Sequence, residues 1–345
     1  MRCGAFGDMV LLTALIRQLH LRFGQPVDLV SSGAWTMPLL AGQPGVGEIF
    51  IIRSRKTPYW LTPRHWALVK WLRARGAGPT WFCDPGPIGR RLLTRGGIPD
   101  AYVCEDAALP QIPGEHFVDR WIRFAQTTPA AYEGKLPLAP SRVPSAAALE
   151  ISATSRATLD PWLARRGLVG RELLLIQAGN KRTMRRGARQ RVANKKYWPE
   201  DRWATVIRAL REQRPHHAIL LLGVPAESEL NADIARLAGI GDVHTVADDL
   251  PVNVLLPLLE RGSSMVSVDT GPAHAAAALG CPTVALFATS DPQLYRPGGV
   301  TTPAIALTGE IDGQRSIMGI DAAAVIAAWR RLGTREVQVA SASAG

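Results

Sequence analysis

Ser263-Ser-Met-Val-Ser-Val-Asp-Thr-Gly-Pro-Ala-His-Ala-Ala-Ala-Ala-Leu-Gly-Cys-Pro-Thr-Val-Ala-Leu-Phe287 reads as a strand, a tight polar turn, a small-residue helix and a second strand. The apolar run Met265–Val268 ends at Asp269, and Gly271 and Pro272 open the helix. The first amides of a helix lack intrahelical acceptors and carry the positive end of its dipole, so such an end is suited to phosphate. Thr270 and His274 add side-chain donors to the same turn, and Ala275–Ala278 let the helix lie close to a sheet. An ordinary βαβ turn needs only a cap. The Asp-Thr-Gly-Pro-x-His cluster is denser than capping requires.

A second glycine turn stands at the start of the chain, where Gly4-Ala-Phe-Gly-Asp8 runs into Met9-Val-Leu-Leu-Thr-Ala-Leu-Ile-Arg-Gln-Leu19. The spacing is GxxGD, which differs from the GxGxxG dinucleotide fingerprint. Gly4 and Gly7 let backbone approach a ligand closely, and Asp8 arrives in the first helical turn, where the dipole favours its ionised form. Such a carboxylate suits a general base or a hydroxyl clamp. Its plain alternative is an N-cap.

Between and beyond these turns one theme repeats. Apolar runs at 27–30, 49–52, 80–83 and 101–104 alternate with helical patterns near 9–22, 62–74 and 116–125. This predicts a parallel α/β unit. After the Pro/Ser/Ala-rich stretch Leu136–Ala148 and a helix near 155–166, the pattern restarts. Strands at 173–177, 218–222, 265–268 and 283–287 alternate with helices near 199–213, 226–238 and 271–279. The expected fold class is therefore α/β: two doubly wound parallel, Rossmann-like domains, residues 1–150 and 151–335, facing across a cleft, then a tail at 336–345. A helix near 321–331 closes the second domain.

Composition fits this reading. The 345 residues, 47% hydrophobic and 20% charged, suffice for two buried cores. No run reaches the ~18 apolar residues of a membrane-spanning helix, and the first residues lack a signal pattern, so a cytoplasmic protein is expected. Cys3, Cys83, Cys104 and Cys281 have neither metal nor disulfide spacing and are expected as packed thiols.

The net charge of +11 is unevenly spread. Residues 181–196 hold eight Lys or Arg and no acid; residues 53–75 hold seven and no acid, interleaved with Tyr59, Trp60, Trp66 and Trp71. Phosphate-rich ligands, anionic membranes and nucleic acid all attract such patches. The first stretch reads as a phosphate-contacting loop or a solvated one. The second reads as a membrane-contact segment or a crossover helix with core tryptophans.

Three motifs carry a family resemblance: Gly7-Asp8 before an apolar helix, Lys196-Tyr-Trp-Pro-Glu-Asp-Arg-Trp203, and Val268-Asp-Thr-Gly-Pro-Ala-His274 followed by Phe287-Ala-Thr-Ser-Asp-Pro292. In order and spacing they resemble glycosyltransferase family 9, the ADP-heptose:lipopolysaccharide heptosyltransferases. The resemblance covers roughly residues 4–25 and 170–310. It implies a GT-B fold, inversion at the anomeric carbon, no essential metal and no cofactor. Asp8 matches the family's catalytic base and Lys196 its diphosphate-contacting lysine; Asp269, Thr270, Gly271, Pro272 and His274 match its donor-site turn. Glu227 matches the acid that holds the ribose, with Glu229 an equal candidate by spacing. Implied partners are a nucleotide-sugar donor, ADP-heptose, and an anionic lipopolysaccharide acceptor met at the cytoplasmic face of the inner membrane, with no nucleic acid expected. Sugar transfer from a nucleoside diphosphate needs a base for the acceptor hydroxyl and positive charge for the departing diphosphate.

The chain departs from the family pattern in three ways. Only Met1–Cys3 precede Gly4 where a full apolar strand is usual, which raises the expectation of a translation start further upstream. The basic loop at 180–195 is longer. Ala288 stands where glycine is common. Rival readings are a transferase for another nucleotide sugar, a nucleotide-dependent oxidoreductase and a non-catalytic nucleic-acid-binding or regulatory protein. The missing GxGxxG and its acidic ribose ligand weigh against the oxidoreductase, and no nucleic-acid module is recognisable.

Overall fold

The computed structural model describes residues 1–52, 61–84, 86–137, 144–180, 191–300 and 304–336. Tyr59 and Trp60, the basic residues Lys181, Arg182, Arg185, Arg186 and Arg189, residues 138–143 of the Leu136–Ala148 stretch and the tail from 337 onward lie outside them. The chain divides into two compact units, Met1–Ala147 and Ala148–Gly345.

The first unit contains α1 (Phe6–Leu11), α2 (Thr13–Phe23), β1 (Val27–Ser32), α3 (Thr36–Leu40), β2 (Val46–Ile52), α4 (Pro63–Arg75), β3 (Thr80–Phe82), α5 (Pro87–Arg95), β4 (Val103–Glu105) and α6 (Phe117–Ala125). β1 pairs in parallel with β2, and β3 in parallel with β4. The chain start joins the two pairs. Arg2 N donates to Val30 O at 3.0 Å and Cys83 N donates to Met1 O at 2.9 Å, while the Met1 ammonium donates to Trp81 O at 2.7 Å. Met1–Cys3 thus runs between β1 and β3, in the position where a strand feeding the first glycine turn was expected. A core of Val30, Ile52, Leu68, Leu72, Phe82 and Leu92 packs around it.

The second unit contains α7 (Ala153–Arg156), α8 (Leu159–Ala164), β5 (Leu173–Gln177), α9 (Glu200–Gln213), β6 (Ala218–Leu221), α10 (Ser228–Ala238), β7 (Val243–Thr245), α11 (Val252–Arg261), β8 (Ser264–Val268), α12 (Gly271–Ala278), β9 (Thr283–Phe287), α13 (Pro292–Tyr295), β10 (Ala304–Thr308) and α14 (Ala322–Leu332). Six of its strands form a parallel sheet in the order β10-β9-β8-β5-β6-β7. Every residue of β5, β6, β8 and β9 is buried. That is why these strands read as mainly apolar runs: a parallel sheet covered by helices on both faces has no solvated side. The chain winds outward from β5 through β6 to β7, then returns to place β8 on the other side of β5. The strand order therefore reverses between β5 and β8, and ligands of open α/β sheets bind in the crevice at the carboxyl ends beside such a reversal.

Candidate functional site

The carboxyl ends of β5, β6, β8 and β9 bring together side chains that lie far apart in sequence. Asp269, one residue past β8, is buried and is the hub. Lys196 Nζ donates to its Oδ2 and to its main-chain oxygen, both at 2.6 Å, and Ser290 Oγ donates to Oδ2 at 2.9 Å. His274 Nε2 stands 3.5 Å from the other carboxylate oxygen. Burial alone would raise the Asp269 carboxyl; the His274 hydrogen bond and the Lys196 ammonium outweigh it and hold the group well below the usual carboxylate range. His274 Nδ1 is buried and has no hydrogen-bond partner among the described residues.

Lys196 reaches this turn because the segment carrying it is pinned on both sides. Trp198 is fully buried, donates its indole N–H to Ile320 O at 2.8 Å and meets Trp203 edge-on at a centroid distance of 4.9 Å. Upstream, Arg191 pairs with Glu200 at 2.5 Å, Asp233 at 2.7 Å and Glu229 at 3.4 Å. The reading of the whole run 181–196 as phosphate contacts is therefore corrected at Arg191. Its guanidinium is buried among three carboxylates and ties the end of the loop to α9 and α10.

The start of α12 is open. Thr270 is the residue before the helix; its hydroxyl meets Ser267 Oγ at 3.0 Å, and no side chain caps the first amides. Pro272 sits in the first turn and brings no N–H, so Gly271 and Ala273 supply the uncapped donors. An anion placed there would meet two backbone N–H groups, the helix dipole and the Lys196 ammonium together.

Glu227 and Glu229, equal by spacing, separate in space. Glu227 lies just beyond β6 with 2% of its surface exposed; Val224 N donates to its Oε2 at 2.9 Å and Gln177 Nε2 to its Oε1 at 3.2 Å. Burial pushes its carboxyl up to about 7, against the hydrogen bonds from Val224 and Gln177. Glu229 is 61% exposed and faces Arg191. Gln177 and Ser290 were not singled out from the sequence. The signal for Gln177 was a polar residue closing the all-apolar run Leu173–Gln177.

In the first unit, Asp8 occupies the third position of α1, with Ala5 as the N-cap. Its Oδ2 accepts a hydrogen bond from Ala5 N at 2.9 Å and stands 3.8 Å from Arg2 Nη2, and its side chain is 40% exposed. Gly4 has a local reason to be glycine: a Cβ there would come within 2.6 Å of Asp8 Cβ. Gly7 lies inside α1. Buried Asp84 accepts from Cys3 N at 2.9 Å and so ties the start of the turn to the end of β3.

No cluster of three or more His, Cys, Asp or Glu suited to a metal occurs among the described residues. The four cysteines are buried thiols, and burial pushes Cys3 and Cys281 up to about 12 and Cys83 to about 11, far from reactive thiolates. No helix of the described residues is long and apolar enough to cross a membrane.

Comparison with known proteins identifies the family and the fold. The model of glycosyltransferase family 9 (heptosyltransferase) matches residues 106–312. Lipopolysaccharide heptosyltransferase 3 of Escherichia coli (strain K12) is 31% identical over 103 residues, which span 30% of this chain and 30% of that protein. Among solved structures, E. coli ADP-heptose lps heptosyltransferase II superposes with a TM-score of 0.67 at 19% identity over 96% of both chains. The family 9 glycosyl transferase from Veillonella parvula DSM 2008 gives 0.74 at 18% identity over 96% of this chain and 95% of its own. At such identities the structural likeness is one of fold, and the fold is GT-B.

Proposed function

The chain belongs to glycosyltransferase family 9 and is a glycosyltransferase; from this we propose that it transfers heptose from ADP-heptose to the inner core of lipopolysaccharide, inverting the anomeric carbon. The observation that carries the proposal is the Lys196–Asp269–His274 cluster beside the uncapped start of α12 at the sheet's reversal point. The second unit is read as the donor side and the first as the acceptor side. The name of the E. coli transferase of like fold supplies the ADP-heptose of this reading.

Each group has one task. Glu227 accepts the ribose hydroxyls. Gly271 and Ala273 amides, with Thr270, His274 and Lys196, bind the diphosphate, and Asp269 orients Lys196 and His274. In the first unit the Gly4–Gly7 turn delivers Asp8 as general base. The acceptor oxygen attacks the anomeric carbon, Asp8 takes its proton, and the bond from that carbon to the diphosphate oxygen breaks with its electron pair leaving on ADP. Charge developing on the leaving phosphate meets fixed donors, the kind of stabilisation that is worth several kcal/mol in a dry site. A metal is not required by this donor set.

We place the enzyme on the cytoplasmic face of the inner membrane, held peripherally by α4. Trp66 in α4 is 55% exposed and Leu61, just before the helix, 57%, and exposed Lys70 and Arg73 follow Trp66 along the helix.

A thermal-shift series tests the donor. A ligand bound only by the native state raises the unfolding temperature, so ADP and ADP-heptose are expected to stabilise the chain while UDP, UDP-hexoses and NAD do not. Stabilisation by UDP-sugars alone would replace the heptose donor with a hexose one.

A further inference from the structure

Gln177 is the last residue of β5 and is buried, yet its side chain is polar. Its amide nitrogen donates to Gly179 O at 3.0 Å and to Glu227 Oε1 at 3.2 Å. The anchor to Gly179 belongs to the same strand end, so the amide holds its place independently of Glu227. Glu227 in turn is wedged between glycines. A Cβ at Gly179 would fall 2.4 Å from Glu227 Oε1, and one at Gly223 3.3 Å from Oε2. No side chain from either residue can stand over the carboxyl. Val224 N and Gln177 take one acceptor position on each oxygen, and an ionised carboxylate keeps one more on each. A pair of acceptor positions on one rigid carboxylate matches two neighbouring hydroxyls.

We infer that Gln177 is a positioning residue for nucleoside recognition, holding the Glu227 carboxylate as the acceptor of a ribose diol; this rests on the reading of Glu227 as the ribose ligand. Gln177 acts through Glu227. It favours the ionised form by donating to it, and burial opposes that form, so the two set the pH range in which the diol is recognised. Gly179 and Gly223 lie against Glu227, and among the described residues burial and the hydrogen bonds from Val224 and Gln177, with no charged neighbour, set where it titrates. Asp248, next to Ala247, accepts a hydrogen bond from Ser228 Oγ. The Lys196–Asp269–His274 cluster is assigned to the diphosphate, and its contribution must be cancelled out.

Comparing ADP with 2′,3′-dideoxy-ADP does so, because both carry the same diphosphate. Calorimetric affinities of the full chain for the two, from about pH 6 to 8, give a ratio that reports the diol alone. Hydrogen bonds to a charged group predict a ratio of at least about tenfold at the upper end, shrinking as Glu227 takes up a proton. Glu227→Gln is expected to abolish most of the ratio and all of its pH dependence. Gln177→Leu should lower the ratio near neutral pH and move its midpoint to higher pH, since the carboxylate has lost a donor; Gln177→Met, which keeps the length, serves if leucine does not fold. A native ratio and midpoint in the Gln177 variants, with the ratio lost in Glu227→Gln, would overturn the role of Gln177 and leave the ribose reading standing. A native ratio in Glu227→Gln would overturn the ribose reading and this inference with it.

Discussion

A buried carboxyl held up to about 7 is costly to keep ionised, and at Glu227 the cost has a sign that can be measured. The folded value lies above the ordinary 4.5, so folding favours the protonated form. The stability this contributes is fully present below about pH 4.5 and is lost as pH rises through about 7. Glu227→Gln, which cannot ionise, should therefore be more stable than the native chain near pH 8, by up to about 3 kcal/mol from the size of the shift. The two should converge near pH 5. Urea unfolding at both pH values checks this, and an equal difference at both would mean that the carboxyl does not titrate in the fold. At this scale the sequence was partly legible. Asp269, Thr270 and His274 are near neighbours and declare one turn. Lys196 lies 73 residues from Asp269 in the chain, and only the resemblance joined them. Ser290 and Gln177 reach their carboxylates across strand ends, which no local pattern encodes.

At the scale of elements, buried parallel strands were the most legible because burial on both faces leaves continuous apolar runs. β5 and β9 lie where those runs lie. β7, three residues long and only partly buried, and β10, with no fully buried residue, offered no such run. α5 was missed behind its Gly-Pro opening, and α11 because Pro257 stands inside it. The tryptophans of α4 differ in their surroundings. Trp71 is packed: it meets Phe50 at 5.6 Å, lies under Arg75 at 4.0 Å and donates to Glu48 at 3.1 Å. Trp66 faces solvent with Lys70 and Arg73 at following turns, and α4 carries no acid. An exposed aromatic and aliphatic pair flanked by cations suits the boundary of an anionic bilayer. The protein is expected to sediment with vesicles containing anionic lipid, to be released as salt rises from about 0.1 to 1 M, and to lose binding in a Trp66→Ala, Lys70→Glu variant. Equal binding to neutral and anionic vesicles would contradict the role given to this face.

For the molecule as a whole, alternation of strands and helices in two stretches was enough to read two parallel α/β units, and the fold is GT-B. The reversal between β5 and β8 was not readable, because strand order is a tertiary property. With the donor groups proposed for the second unit and the base for the first, the mechanism rests on Asp8. Asn at this position keeps the size and an oxygen that can accept from Ala5 N, so Asp8→Asn should fold and bind ADP as the native chain does. Sugar transfer by this variant, measured alongside circular dichroism and an ADP titration, is the most direct measurement. Native folding and ADP affinity are expected with transfer reduced by ~10²–10⁴-fold, the loss expected for a general base; near-native transfer would make Asp8 only a local acceptor for the Ala5 amide and leave the mechanism without its base.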